Sequence, residues 1–257
     1  MKSANPLPGS WITPDWPAPS NIRAVTTTRH NGHSLPPYGR FNLAMHVGDA
    51  EERVARNRQE LKKILGIPDN PLWLQQTHSE NVVCATTYTG DEAADGSYTD
   101  QQGVVCALLT ADCIPLLFCN RSGTRVAAIH AGWRGLSQGI TRHLTAIFDP
   151  EGDEILAWLG PHIRAQHYEV GVEVKQALTA AIGSRAETAF VRTRPGHWLA
   201  DMASLARFAL ENSGIRHIYD CGRCTYSDGD DFYSYRRENT TGRMASLIWI
   251  AEQARGG

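Results

Sequence analysis

Three segments of the chain each carry a side chain able to hold a transition metal beside a short apolar run. They are Gln75-Gln76-Thr77-His78, Thr110-Ala111-Asp112-Cys113, and Ala127-Ala128-Ile129-His130 with Ala131-Gly132-Trp133-Arg134-Gly135 behind it. Strand ends bring residues distant in sequence to one rim, and a glycine close to a histidine leaves backbone room for a ligand. Two imidazoles and a thiolate suffice for zinc when the fourth position is left to water, the arrangement of catalytic rather than structural sites. The separations, 35 residues from His78 to Cys113 and 17 from Cys113 to His130, are not local ligand spacings. On spacing alone the trio is indistinguishable from two hydrogen-bonded histidines and a core cysteine.

Several chemistries remain open for such a trio. A zinc ion on two neutral histidines and one thiolate keeps about one positive charge, enough to acidify a bound water and polarise a substrate atom. Chemistry of that kind needs a proton shuttle, and Glu80 and Asp112 are nearest in sequence. Alternatively Cys113 is a nucleophile with His130 as its base, the arrangement of an amidase. A closed structural site would instead take a fourth protein ligand, for which His46 and His162 are the candidates. A His2Cys set also holds copper, but multicopper clusters are assembled from His-x-His pairs, and the ten histidines form none. Cys221-Gly222-Arg223-Cys224 is a lone Cys-x-x-Cys in a strand-then-turn context, which favours packing over redox chemistry.

These residues need elements to position them. Asp49 with Glu52 reads as a capping box opening a helix through Val54, Leu61, Ile64 and Leu65, stopped by Gly66 and Pro68. A second helix is expected from Trp133 through Leu136, Ile140, Leu144 and Ile147, with others over 172–182 and 202–212. β-Branched and apolar runs at 22–28, 72–75, 81–85, 104–109, 114–119, 125–129, 155–159, 217–219 and 245–250 read as strands. Strands come in runs rather than alternating with helices, so the expected class is α+β. The expected architecture is a single domain over residues 1–257, with mixed β-sheets packed as a sandwich and flanking helices, and residues 1–21 a Pro-rich arm on its surface. At 257 residues the chain buries a sizeable core.

Composition narrows the function classes. Against 27 Asp and Glu stand 25 Lys and Arg, a net charge of −2, so no overall field draws the chain to nucleic acid or an anionic membrane. The first 21 residues lack the charged start and apolar middle of a secretory signal, and no apolar run approaches the roughly 20 residues of a membrane span. Six cysteines in such a chain read as reduced thiols of a cytoplasmic protein.

The segments resemble the laccase-domain, polyphenol-oxidase-like family of purine nucleoside phosphorylases. Matching stretches include Thr27-Thr28-Arg29, Asn42-Leu43-Ala44-Met45-His46-Val47-Gly48-Asp49, Asn57-Arg58, Gln76-Thr77-His78 and Thr110-Ala111-Asp112-Cys113-Ile114-Pro115. Others are His130-Ala131-Gly132-Trp133-Arg134-Gly135, Gly160-Pro161-His162-Ile163, Tyr168-Glu169-Val170, Cys224-Thr225-Tyr226 and Phe232-Tyr233-Ser234-Tyr235-Arg236-Arg237. The resemblance implies that His78, Cys113 and His130 bind zinc, with copper a substitute, and carry catalysis. It implies phosphorolysis of adenosine, inosine and S-methyl-5'-thioadenosine to base and ribose 1-phosphate, with adenosine deamination beside it. Phosphate transfer needs cationic donors, and Arg29, Arg134 and Arg236 are expected in that role because each lies in a family-like segment, with Gln76 also at the substrate. Of Tyr233 and Tyr235, at most one is expected to face the site, stacking on the purine. An amidase editing a peptidoglycan precursor through Cys113 and a copper-dependent polyphenol oxidase are the alternatives. Two departures from the family pattern stand out: Asn31-Gly32-His33-Ser34 after the first arginine, where Asn tolerates a left-handed backbone, and Ser79 after His78.

Overall fold

Apolar runs buried on both faces dominate the chain, and the computed structural model shows why: its two large sheets are each covered on both sides. It describes residues 11–67, 69–148 and 154–252. The strands among them are β1 (Trp11–Ile12), β2 (Ile22–Thr27), β3 (Leu72–Trp73), β4 (Val82–Cys84), β5 (Gly96–Thr99), β6 (Val105–Thr110) and β7 (Ile114–Asn120). They continue with β8 (Val126–Ala131), β9 (Ile155–Leu159), β10 (Glu169–Gly171), β11 (Phe190–Arg194), β12 (His197–Ala200), β13 (His217–Asp220) and β14 (Met244–Ile250). The helices are α1 (Glu51–Leu65), α2 (Trp133–Gln138), α3 (Leu144–Ile147), α4 (Val172–Ile182), α5 (Met202–Asn212) and α6 (Tyr235–Glu238).

A mixed five-stranded sheet runs β1-β2-β14-β6-β3 and a mixed six-stranded sheet runs β13-β9-β7-β8-β5-β4, with β10-β12-β11 a small antiparallel sheet beside them. The two large sheets face each other through Cys106, Leu108 and Ile248 from one and Leu117, Ala128 and Trp158 from the other. Strand periodicity sends the alternate residues outward. From the six-stranded sheet Leu116, Phe118 and Ile129 meet Leu136 of α2, Leu178 of α4 and Leu205 of α5. From the five-stranded sheet Ala107, Leu247 and Trp249 meet Leu61 of α1. The layers are therefore helix, sheet, sheet, helix, in the expected α+β class. Each fully buried large apolar side chain contributes about 1.5–3 kcal/mol, so the sandwich interior is a stiff base for whatever its rims carry.

Some elements depart from expectation. The helix after Trp133 is not continuous, because Gly139 sits at φ +92° and splits it into α2, a 3-10 turn over Ile140–His143, and α3. The capping box does not form. Helix α1 begins at Glu51 behind Ala50, while the Asp49 carboxylate accepts from the Ala50 amide and from Asn42 Nδ2. Gly66 ends that helix at φ +62°, as expected, whereas Pro68 lies outside the described residues. Of the Pro-rich N-terminal segment, residues 1–10 lie outside the described residues; from Trp11 it adds β1 to the sheet edge and packs Trp16 and Ala18 against the sandwich. Tyr233 and Tyr235 are not on a strand: Ser234 caps α6, its hydroxyl accepting from Arg237 N.

Candidate metal centre

Two of the three candidate ligands lie on connections that cross from one large sheet to the other. Cys113 lies in the turn from β6 to β7, and His78 in the loop from β3 to β4. His130 is on β8, one residue from its end, on the rim where these crossings meet. Their ligand atoms all lie within 4.8 Å of one another, and they form one such cluster among the described residues. Cys113 Sγ is 3.7 Å from His78 Nε2, and the two imidazole rings stand edge to face with centroids 4.8 Å apart.

The arrangement is held by a residue not singled out from sequence. Asp95, fully buried just before β5, accepts from His130 Nδ1 at 2.7 Å and from the backbone amides of Thr77, His78 and Ser79. Ser79 Oγ donates to the same carboxylate, so the departure at Ser79 serves the path beside His78. His78 itself sits at φ +63°, a conformation that costs a non-glycine residue of order 1 kcal/mol and that the carboxylate clamp fixes. Burial raises the Asp95 carboxyl, but the His130 hydrogen bond and charge, with the Ser79 donors, outweigh it and take it down to about 2. With Nδ1 of His130 committed to Asp95, Nε2 is the nitrogen left for a ligand, as where a carboxylate orients a metal-binding histidine.

The donor set fits a zinc-type ion. Burial would raise the Cys113 thiol, yet the charge and hydrogen bonds of His130, with those of His78, hold it well below the ordinary range, which favours the thiolate a metal requires. Burial disfavours the charged His130 ring, but the Cys113 charge and the Asp95 hydrogen bond raise it. Gly132 keeps the space between them open. A Cβ there would lie 2.9 Å from His78 Cδ2 and 3.1 Å from Cys113 Sγ. His46 and His162 are not in the cluster. His162 is fully buried with Nδ1 on Gly160 O at 2.7 Å, whereas His46 lines the cavity beyond the trio.

That cavity has a volume of about 530 Å³ and opens over the trio, with Trp133, Tyr168 and Tyr235 among its walls. Arg134 and Arg236 reach it, lying 4.6 Å from the Trp133 ring and 4.9 Å from the Tyr168 ring. Arg243, absent from the sequence reading, lines it too, and none of these three pairs with a carboxylate among the described residues. Gln76 is at the wall with both amide ends used: Oε1 accepts from Leu109 N and Nε2 donates to Leu109 O. The structure does not bring Arg29 to the cavity. Its guanidinium bonds Glu238 and the carbonyls of Gly39, Gly229 and Phe232, and lies over Tyr233. The segment that suggested it is a packing motif. Tyr235 faces the cavity while Tyr233 is buried, its hydroxyl donating to Tyr38 O.

Neither proton-shuttle candidate is a free carboxylate at the trio. Glu80 is exposed and off the cavity wall, and Asp112 accepts from Thr225 Oγ1 at 2.6 Å and Arg236 N at 2.7 Å. The Asn31 turn keeps its left-handed backbone, at φ +60°. All six cysteines are free, and burial lifts the Cys221 thiol to about 11, so it is not poised as a nucleophile.

This sandwich with a His-Cys-His rim has recognisable relatives. Residues 23–251 match the family described as multi-copper polyphenol oxidoreductase laccase, and the chain belongs to that family. Proteins named purine nucleoside phosphorylase YfiH from Shigella flexneri and Escherichia coli K12 are each 45% identical over 240 residues, covering 93% of this chain and 98% of theirs. A Pseudomonas aeruginosa purine nucleoside phosphorylase is 46% identical over 244 residues, 95% of this chain and 99% of its own. The crystal structure of a Neisseria meningitidis protein superposes with a TM-score of 0.89 at 44% identity, covering 95% of this chain and all of that one. That of YlmD from Geobacillus stearothermophilus gives 0.89 at 30% identity, covering 96% and 98%. No helix among the described residues is long and apolar enough to cross a membrane.

Proposed function

We propose that this chain is a zinc-dependent purine nucleoside phosphorylase acting on adenosine, inosine and S-methyl-5'-thioadenosine, with adenosine deaminase activity at the same centre, in the cytoplasm. The observation that carries the reading is one cavity in which a metal-competent trio meets arginines with no carboxylate partner among the described residues, in a chain whose near-full-length relatives bear the phosphorylase name. The cavity is of the size that small-molecule sites have, 300–1,000 Å³.

In phosphorolysis a phosphate oxygen bonds to C1' of the ribose as the C1'–N9 bond breaks, and the purine leaves with the bonding pair and takes up a proton. Negative charge spreads as this occurs, and fixed guanidinium donors lower its energy. Arg134 and Arg236 supply such donors, and their stacking on Trp133 and Tyr168 restricts where they point. Tyr235, Tyr168 and Trp133 offer faces for the purine. Gln76 acts on substrate through the backbone of Leu109 that it braces. His78, Cys113 and His130 would hold the zinc, which when bound supplies a Lewis acid. Asp95 fixes the His130 ring, and Gly132 leaves the site open.

Incubating zinc-loaded protein with adenosine, with and without phosphate, and separating the products tests the reading. Phosphate-dependent adenine with ribose 1-phosphate is expected, and inosine marks deamination. Neither product in either buffer removes the reading.

One observation favours a second reading. Cys113, His130 and Asp95 form a thiolate–imidazole–carboxylate chain, the order an amidase uses on an amide such as a peptidoglycan precursor. An active, metal-free protein inactivated by iodoacetamide would select it. Copper-dependent polyphenol oxidation, suggested by the family's description, finds one three-residue cluster among the described residues, where a multicopper centre needs several.

A further inference from the structure

The three cavity arginines are not equivalent. Arg134 and Arg236 are exposed, whereas Arg243 is half-buried. Its guanidinium donates through Nη1 to the carbonyls of Thr241 and Gly242, both at 2.9 Å, which leaves Nε and Nη2 without an acceptor among the described residues. Burial disfavours this cation, and the nearby negative charges, Cys113 and Asp112, offset that only in part. Both are already engaged: Asp112 with Thr225 and the Arg236 amide, Cys113 with the two histidines. A partly desolvated cation without a carboxylate is a place where an anion gains more than it would in water.

His46 lines the same cavity, and no side chain or backbone group among the described residues hydrogen-bonds its ring. Burial and the charges of Arg243 and Arg58 hold it neutral at neutral pH, so it keeps one N–H donor and one acceptor nitrogen. A single side chain sets both residues. Asn42 Oδ1 accepts from the Arg243 amide and the Ala44 amide, each at 3.0 Å, and Asn42 Nδ2 donates to Ala44 O and Asp49 Oδ2. The 3-10 turn carrying His46 and the residue just before β14, Arg243, are thus fastened to one buried amide.

We propose that Arg243 and His46, held in register by Asn42, form the subsite for the phosphate co-substrate, with Arg134 and Arg236 at its outer rim. The guanidinium's free Nε and Nη2 present two parallel donors to two oxygens of the tetrahedral anion, and His46 meets a third. This rests on the phosphorylase reading and deepens it: the attacking phosphate is seated between Arg243 and the exposed His46, and the nucleoside takes the part of the cavity over the metal trio.

The test compares wild type, Arg243→Met, Arg243→Lys and, as a surface control, Arg192→Met, all zinc-loaded and checked for zinc stoichiometry and melting temperature. Arg243→Met is expected to raise the phosphate KM about tenfold or more, the loss typical of a bidentate charged contact, and to leave the nucleoside KM within about twofold. Arg243→Lys is expected to recover part of it, because a point charge replaces the fork. If Arg243→Met does not fold, the lysine variant carries the comparison, with a phosphate KM above wild type. An unchanged phosphate KM, or an equal rise for both substrates, overturns the proposal. Calorimetric titration with inorganic phosphate separates it from the functional reading. Should wild type form no ribose 1-phosphate, the phosphorylase reading falls, while phosphate binding that Arg243→Met abolishes still upholds the subsite. No phosphate binding to wild type, or equal binding to both, removes it.

Discussion

Asp95 carries more of the site than any ligand does. Its carboxylate accepts from one imidazole and three successive amides, so a single buried side chain orients His130 and shapes the loop that carries His78. Asp95→Asn keeps the size but replaces one acceptor oxygen with a donor group aimed at N–H groups. Its expected effect is a 10–100-fold loss of zinc affinity, measured by chelator competition. Gly132→Ala tests the open space instead of the clamp. The new methyl would press on His78 and Cys113, so zinc stoichiometry should fall while the melting temperature of the metal-free protein changes by only a few degrees. The glycine beside His130 was legible beforehand, whereas Asp95 was not. Ala94-Asp95-Gly96 has the look of an ordinary turn, and nothing in a single sequence separates a turn aspartate from a buried one. Arg243 was hidden for a similar reason, as one arginine ahead of an apolar strand. Arg29 misled because its segment matches the family while its guanidinium serves packing.

Among the elements, strands with an apolar or β-branched run were readable, even the marginal β3, β4 and β13, and strands without one were not. Strands β7, β8, β9 and β14 are fully buried along their length, so an unbroken apolar run betrays each. Strand β5 is Gly-Ser-Tyr-Thr, and β11 is largely exposed, so neither leaves a run to see. Helix α1 was visible through its apolar stripe, but its role was not. Asn57 on that helix is fully buried, its Nδ2 donating to Ser34 Oγ, Arg40 O and Asn42 O while Oδ1 accepts from His33 N. It pins the loop that leads to Asn42 and His46. Asn57→Ala would leave those groups buried and unpaired, at about 1–3 kcal/mol for each that finds no water. A fall in the midpoint of urea unfolding is expected, and Asn57→Asp should lower it too, because it keeps the acceptor to His33 but sets a buried carboxylate oxygen against the Arg40 and Asn42 carbonyls.

At the scale of the molecule, acid stability follows from a residue outside the site. His162 is fully buried, and burial, then the Arg164 charge, lowers its pKa from the usual 6.5 to about 4. A base with a depressed folded-state pKa binds fewer protons folded than unfolded. Its contribution is therefore complete above pH 6.5 and is lost as the pH falls toward 4, a change on the order of 3 kcal/mol. Melting temperatures measured between pH 7 and 4 should fall, and His162→Gln should flatten that fall. A slope equal to wild type in the variant would assign the acid sensitivity elsewhere.

The connections β3-to-β4 and β6-to-β7, which bear His78 and Cys113, each step from one large sheet to the other. An ion gripped there works as a rivet through both halves of the sandwich, and no fragment confined to one half can offer it a home. Loading must then follow assembly: adding zinc before or after refolding should leave the refolding rate unchanged, while slowing unfolding once the rivet is in place.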